Sequence, residues 1–157
     1  MFLIVMGVSG CGKSTIGKAL AVELGWKFYD ADDFHPQANV EKMGRGVPLN
    51  DDDRAPWLES LRRMIQDSFQ RGESGVLACS ALKQKYRDVL AVNSSVRFVY
   101  LRGDYETILK RMQARQHFML PKMLKSQLDA LEEPKEAIVV NVEKSVEEII
   151  EVVKREI

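Results

Sequence analysis

Cysteine is scarce in this 157-residue chain: the only two, Cys11 and Cys79, stand far apart, with no metal-like spacing and no histidine cluster beside them. That pattern argues against a disulfide framework and against a zinc site. An excess of one charge is also lacking, since Lys+Arg and Asp+Glu number 23 each. No global basic field exists to draw in nucleic acid or an anionic membrane surface. Long apolar runs are missing too. The first, "MFLIVMGV", is far shorter than a spanning helix and has no basic segment before it, so a cytoplasmic chain with reduced thiols is expected. There are no internal repeats, low-complexity tracts or long linkers, and the length suits one hydrophobic core rather than two. A single domain over residues 1–157 is expected.

What the chain does contain is an alternation of short apolar runs with helical periodicity, the pattern of a parallel sheet covered by helices on both faces. Strands are expected at 2–6, 27–31, 75–79, 96–101 and 137–142. Ile16, Leu20 and Leu24 line one face of a helix that Gly25 can end, and Leu58, Leu61, Ile65 and Phe69 line another. Asp104 can cap a helix carrying Ile108, Leu109 and Met112, and Ser145 with Glu148 forms a capping box for the last helix. Residues 33–56 and 114–121 fit this scheme poorly. The first stretch holds three of the five prolines, two glycines and many charges, and is expected to be a loop-like insert.

The segment "MGVSGCGKST" contains Gly7, Gly12, Lys13 and Ser14 in the spacing G-x4-G-K-S, between a predicted strand and a predicted helix. Average residue usage would produce this pattern by chance in roughly one such chain in two hundred. A glycine-rich turn entering a helix directs backbone N–H groups and the positive end of the helix dipole at the same phosphates. Gly7, Gly10, Cys11, Gly12, Lys13, Ser14 and Thr15 therefore form the expected nucleotide-binding segment. Lys13 would reach the β and γ phosphates and Ser14 would ligate Mg²⁺, while the Cys11 side chain reads as a small filler.

The second strand runs into "FYDADDFH". Ligands of open α/β sheets bind beyond the carboxyl ends of the strands, so Asp30 and Asp32 should face the phosphate loop. One carboxylate would hold Mg²⁺ through water, and the other would accept the proton of an attacking hydroxyl; Asp33 suits a capping role better. A regulatory GTPase is excluded by what is missing, an N-K-x-D guanine signature and a D-x-x-G after the third strand, which ends instead in "CSAL".

Taken together, "MGVSGCGKST", "DADDFHPQANVEKMGRGVPLNDDDRAPWL", "CSALKQKYRDVL", "FVYLRGD" and "HFMLPKMLKSQLDALEEP" resemble the successive signature segments of gluconokinases. The resemblance implies a three-layer α/β P-loop kinase fold with a parallel five-stranded sheet and a helical lid at about 111–127. It further implies ATP and Mg²⁺ as cofactors, gluconate as acceptor, and a homodimer. By the resemblance Asp32, His35, Arg54, Lys83 and Arg87 line the sugar-acid site, and His117 and Gln127 are assigned to it as well. The residue chemistry is compatible, because a carboxylate substrate suits arginine, and Lys83 lies one helical turn before Arg87. Arg54 and Arg87 each have a structural ion pair as the alternative to substrate contact, Arg54 as partner of Asp51 to Asp53 at a helix start that would hold Pro56 in its first turn. Trp57 and Tyr86 read as packing residues. In the lid, Arg115 is the expected catalytic arginine and Arg111 a nucleotide contact. Another small-molecule kinase of this architecture, such as a shikimate kinase, and an ATP-gated binding module stay open as alternatives.

Overall fold

The first strand, Phe2–Met6 (β1), is apolar at every position, and all five side chains are fully buried. Alternation sends Leu3 and Val5 into one hydrophobic cluster and Phe2, Ile4 and Met6 into the other, so β1 is the middle of three layers. The computed structural model describes residues 1–114 and 121–157. Its other strands are Lys27–Asp30 (β2), Gly75–Ala78 (β3), Val96–Arg102 (β4) and Ile138–Asn141 (β5), within a residue or two of their expected positions. All pair in parallel in the order β2-β3-β1-β4-β5.

One helical layer covers Leu3 and Val5. It contains Lys13–Leu24 (α1) through Ile16 and Leu20, and Tyr105–Ala114 (α5) through Ile108 and Met112. Pro121–Ala130 (α6) adds Leu124, and Val146–Glu156 (α7) adds Ile149 and Val153. Opposite them lie Asp51–Gln70 (α3), with Trp57, Leu58, Leu61 and Ile65, and Gln84–Leu90 (α4), with Tyr86 and Leu90. The helix after β1 and the helix after the adjacent β3 thus lie on opposite faces. A crevice opens between the carboxyl ends of these two strands, the usual ligand position in such sheets. Among the described residues no helix is long and apolar enough to cross a membrane.

The helix ends follow local chemistry. Gly25 (φ 70°) ends α1, and the Trp26 N–H reaches Ala21 O at 2.9 Å. Asp104 accepts from the Thr107 N–H, and the Ser145/Glu148 capping box is present. Residues 33–56 are more regular than expected. They include the end of a 3₁₀ turn, Ala31–Phe34, then the helix Gln37–Gly44 (α2) and the start of α3. Pro56 is the sixth residue of α3 and not in its first turn. The helix tolerates it because Pro56 and Asp52, whose carbonyl loses its partner, both lie on the exposed side.

Arg87 departs from its expected role. It is 2% exposed, and its guanidinium donates to Ala81 O (2.7 Å), Glu132 O (2.6 Å) and Gln84 Oε1 (3.1 and 3.3 Å). Ala81 has a left-handed backbone (φ 45°), unusual for a residue with a Cβ, which turns its carbonyl toward the guanidinium. Arg87 therefore clamps the β3–α4 turn to the segment after α6, and its donors are taken up by the protein itself. Lys83 is the N-cap of α4, and its ammonium lies over the Tyr86 ring while Arg87 turns to Ala81 and Glu132. Lysine cannot reproduce three directed contacts. Arg87→Lys should lower stability in chemical denaturation by about 2–4 kcal/mol, with both substrate KM values within about twofold of wild type; a large, selective rise in the acceptor KM would restore the substrate role.

Candidate active site

Gly7 to Ser14 wrap beyond the end of β1, and three glycines have left-handed backbone there, Gly7 (φ 148°), Gly10 (φ 83°) and Gly12 (φ 98°). A Cβ on Gly7 would stand 3.0 Å from the Leu101 carbonyl oxygen, and one on Gly10 would strike the Met112 side chain. The loop is thus packed tightly against β4 and α5, and only glycine fits at these two positions. Gly12 leads directly into α1, so the helix N-terminus opens toward the cleft.

That cleft has a volume of about 370 Å³. Its wall includes Gly10, Gly12, Lys13, Ser14 and Thr15 from the loop, Asp30 and Asp32 from the end of β2, and Ser80 from the end of β3. Gly7 and Cys11, which the sequence also assigns to the nucleotide-binding segment, are buried, and a Cβ on Gly7 would stand 2.8 Å from Cys11 Sγ. Cys11 is 2% exposed, and burial pushes its thiol pKa up; Cys79, fully enclosed, is pushed up to about 12. Both are free thiols. A larger groove of about 1000 Å³ runs between α4, the start of β4 and residues 132–138; Arg87 lines it, and the phosphate loop does not.

Within the cleft the contacts are specific. Lys13 Nζ donates to Val8 O at 3.1 Å, folded back on its own loop. Ser14 Oγ donates to Asp30 Oδ2 (3.2 Å), while Asp30 Oδ1 accepts the Asp32 N–H (3.0 Å). Asp30, not Asp33, therefore caps the 3₁₀ turn, because the turn begins one residue after it. Asp32 remains open to solvent on one side, yet its pKa is raised, first by the crowding of the cleft walls and then by the Asp30 charge. His35 and Lys13 oppose this.

A second group of polar residues adjoins this cleft. The His35 ring lies flat on the Trp57 indole, centroids 4.5 Å apart and planes inclined by 10°, and Trp57 Nε1 donates to Ala31 O at 2.7 Å. Beyond Trp57, the Tyr86 ring has Arg54, Lys83 and Lys85 around it at 5.7, 6.0 and 5.7 Å. Tyr86 donates its hydroxyl proton to Asp51 Oδ1 (2.6 Å) and receives Arg54 NH1 at 3.3 Å. Lys85 also pairs with Asp51, whose carboxyl is held down to about 2 by the Lys85 and Tyr86 hydrogen bonds. Arg54 is only 3.7 Å from Asp51, so its structural partner engages one edge of the guanidinium. The Lys83 ammonium has no hydrogen-bond or ion-pair partner among the described residues.

Gln127 is found on the donor side. Its Oε1 accepts the Ser9 N–H at 2.7 Å and its Nε2 donates to Ser9 Oγ at 3.2 Å, so α6 is joined to the phosphate loop and the amide does not reach Arg54 or Tyr86. Arg111 is half-buried in the last turn of α5, where its charge offsets a little of the rise that burial imposes on the Cys11 pKa. Arg115 and His117 lie outside the described residues. Trp57, Tyr86 and Asn39 are the site neighbours that residue patterns missed. Asn39 is a buried polar residue on α2, bonded to His35 Nδ1 and to Asp53 O.

Fold and donor loop together define a P-loop small-molecule kinase, and the family model described as shikimate kinase matches residues 9–156. The thermosensitive gluconokinase of Escherichia coli (strain K12) is 52% identical over 133 residues, covering 83% of this chain and 71% of that protein. A gluconokinase structure from Sinorhizobium meliloti 1021 has TM-score 0.87 and 39% identity, covering 96% of this chain and 87% of the other. An unliganded sugar kinase from Janibacter sp. HTCC2649 has TM-score 0.88 and 45% identity over 98% and 92%. The chain belongs to the gluconokinases, within the shikimate kinase family of P-loop kinases.

A carboxylate must be ionised to take a proton, so a catalytic Asp32 makes kcat/KM for the acceptor rise with pH through its raised pKa. With MgATP saturating, the acid limb should lie above the ordinary carboxylate value of 3.8 and vanish in Asp32→Asn. A limb at or below 3.8, or one that survives in Asp32→Asn, would assign it to another group.

Proposed function

We propose that this chain transfers the γ-phosphoryl group of ATP to the primary hydroxyl of D-gluconate, giving 6-phospho-D-gluconate. The observation that supports this most is the arrangement of the cleft: a phosphate loop and Asp32 share one wall, and a group of cations lies beyond His35 and Trp57. An acceptor with a carboxylate at one end and a hydroxyl at the other suits that arrangement. Arg54 and Lys83 hold the carboxylate, His35 a hydroxyl, and Asp32 the reacting hydroxyl. The names of the relatives point to the same acceptor.

The loop amides and the α1 N-terminus receive the phosphates. Lys13 leaves Val8 O and swings to the β and γ oxygens, exchanging a hydrogen bond to a neutral carbonyl for one to an anion. The donor set suits a hard cation, since Ser14 Oγ and the Asp30 carboxylate are adjacent oxygens. Mg²⁺, when bound, neutralises phosphate charge; Ser14 would hold it directly and Asp30 through water. Asp32 orients the acceptor hydroxyl and takes its proton as the new O–P bond forms, while ADP leaves from the opposite side. Its raised pKa makes it a stronger base than an ordinary aspartate. In the proposed lid, Arg115 would meet the charge on the transferring group, with Arg111 on the nucleotide.

ADP release measured with ATP and Mg²⁺ against gluconate, related aldonates, shikimate and nucleoside monophosphates tests the reading. Gluconate should be strongly preferred. Asp32→Asn should lower kcat by about 10²–10⁴-fold with ATP affinity nearly unchanged, whereas Lys13→Ala should impair both. Preference for shikimate would replace the acceptor, and ADP release indifferent to every acceptor would replace the kinase reading with an ATP-gated module.

A further inference from the structure

Asn39 is 4% exposed, and its side-chain nitrogen faces two acceptors. Nδ2 is 2.8 Å from Asp53 O and 3.3 Å from His35 Nδ1. A backbone carbonyl can only accept, so the Asp53 contact orients the amide with its NH₂ on this side. The second N–H then points at His35 Nδ1, which must offer a lone pair. The imidazole proton is thereby left on Nε2.

Two further features restrain the ring. It is stacked on Trp57, whose Nε1–H is fixed on Ala31 O, the residue directly before Asp32. Burial lowers the His35 pKa; Arg54, from α3, acts in the same direction, and Asp32, from the 3₁₀ turn, opposes both. The Asp53 carboxylate beside Asn39 is paired with Lys42 at 2.6 Å. Nε2 has no partner among the described residues.

We propose that Asn39 and Trp57 are positioning residues that hold His35 as a neutral, single-tautomer Nε2–H donor to a hydroxyl oxygen of the acceptor. This rests on the gluconate reading only for the acceptor's identity. The arrangement divides the proton chemistry between neighbours: Asp32 accepts, and His35 can only donate. His35 therefore cannot compete for the proton of the reacting hydroxyl. An acceptor with hydrogen or a methyl group in place of that hydroxyl would leave Nε2–H unpaired, so the device selects polyhydroxylated acceptors.

Long-range ¹H–¹⁵N correlation of the imidazoles tests this on the whole protein. The chain has two histidines, and His117→Gln assigns the remaining signals to His35. The expected result is one neutral Nε2–H tautomer at about pH 7 and a titration below the ordinary value of 6.5. A mixed population, an Nδ1–H tautomer or a charged ring at that pH overturns the proposal. Asn39→Asp places a carboxylate where the donor stood and, assayed at a pH where the ring is neutral, should move its one proton from Nε2 to Nδ1. The gluconate KM should then rise about tenfold, with the ATP KM within twofold of wild type. Trp57→Phe, which keeps a stacking face, should change the gluconate KM less than Trp57→Ala. An unchanged gluconate KM in a folded Asn39→Asp protein overturns the proposal, and if that variant does not fold, the wild-type tautomer decides. Failure of the gluconate reading looks different, because wild type then has no gluconate-dependent turnover while the His35 tautomer remains as expected.

Discussion

The Asp30 carboxylate connects the two halves of the site. One oxygen accepts the Ser14 hydroxyl from the phosphate loop, and the other accepts the N–H of Asp32 in the 3₁₀ turn. The second contact is local to the 3₁₀ turn, whereas the first depends on the sheet register, which sets Asp30 opposite Ala78 while Val5 pairs with Ala78 from the other side. Three parallel strands thus end at one level, and their following turns share a single cleft. Direct transfer between two bound substrates needs this condition, since a small displacement of either reactant costs far more rate than it costs binding.

Around that connection, titratable groups follow one another along the cleft. Lys13 and His35 act on the protonation of Asp32, and Asp32 and Arg54 act on that of His35. Tyr86 ends the series, with three cations around its ring and Asp51 on its hydroxyl. The phosphate loop presents backbone amides and a helix terminus, while the group beyond Trp57 is built from side chains of the 3₁₀ turn, α2, α3 and the N-cap of α4. This division suits a fold that keeps one nucleotide site and changes acceptors by altering the inserted segment.

Much of this architecture was legible in the sequence because it is local. Strand runs, the phosphate-loop spacing, the Asp104 cap and the Ser145/Glu148 box each depend on a few neighbouring residues, and the structure has them where they were expected. Arg87 shows the limit. Its spacing from Lys83 suggested one helical face, but its partners are carbonyls of a left-handed Ala81 and of Glu132, 45 residues away. Backbone acceptors leave no trace in side-chain patterns. Trp57 and Asn39 were missed for a related reason. Apolar periodicity explains Trp57 as core, and nothing in "QANVEKM" tells that Asn39 turns inward to His35. Asp30 and Asp33 are equivalent as acids in "DADDF"; only the start of the 3₁₀ turn decides between them.

A single in-line displacement inverts configuration at phosphorus, and a route through a phosphorylated Asp32 or His35 would invert it twice. ATP made chiral at the γ-phosphorus with oxygen isotopes, transferred to gluconate and analysed in the 6-phosphogluconate formed, therefore tests direct transfer across this cleft. Inversion is predicted. Retention would require a covalent phosphoenzyme and contradict direct transfer.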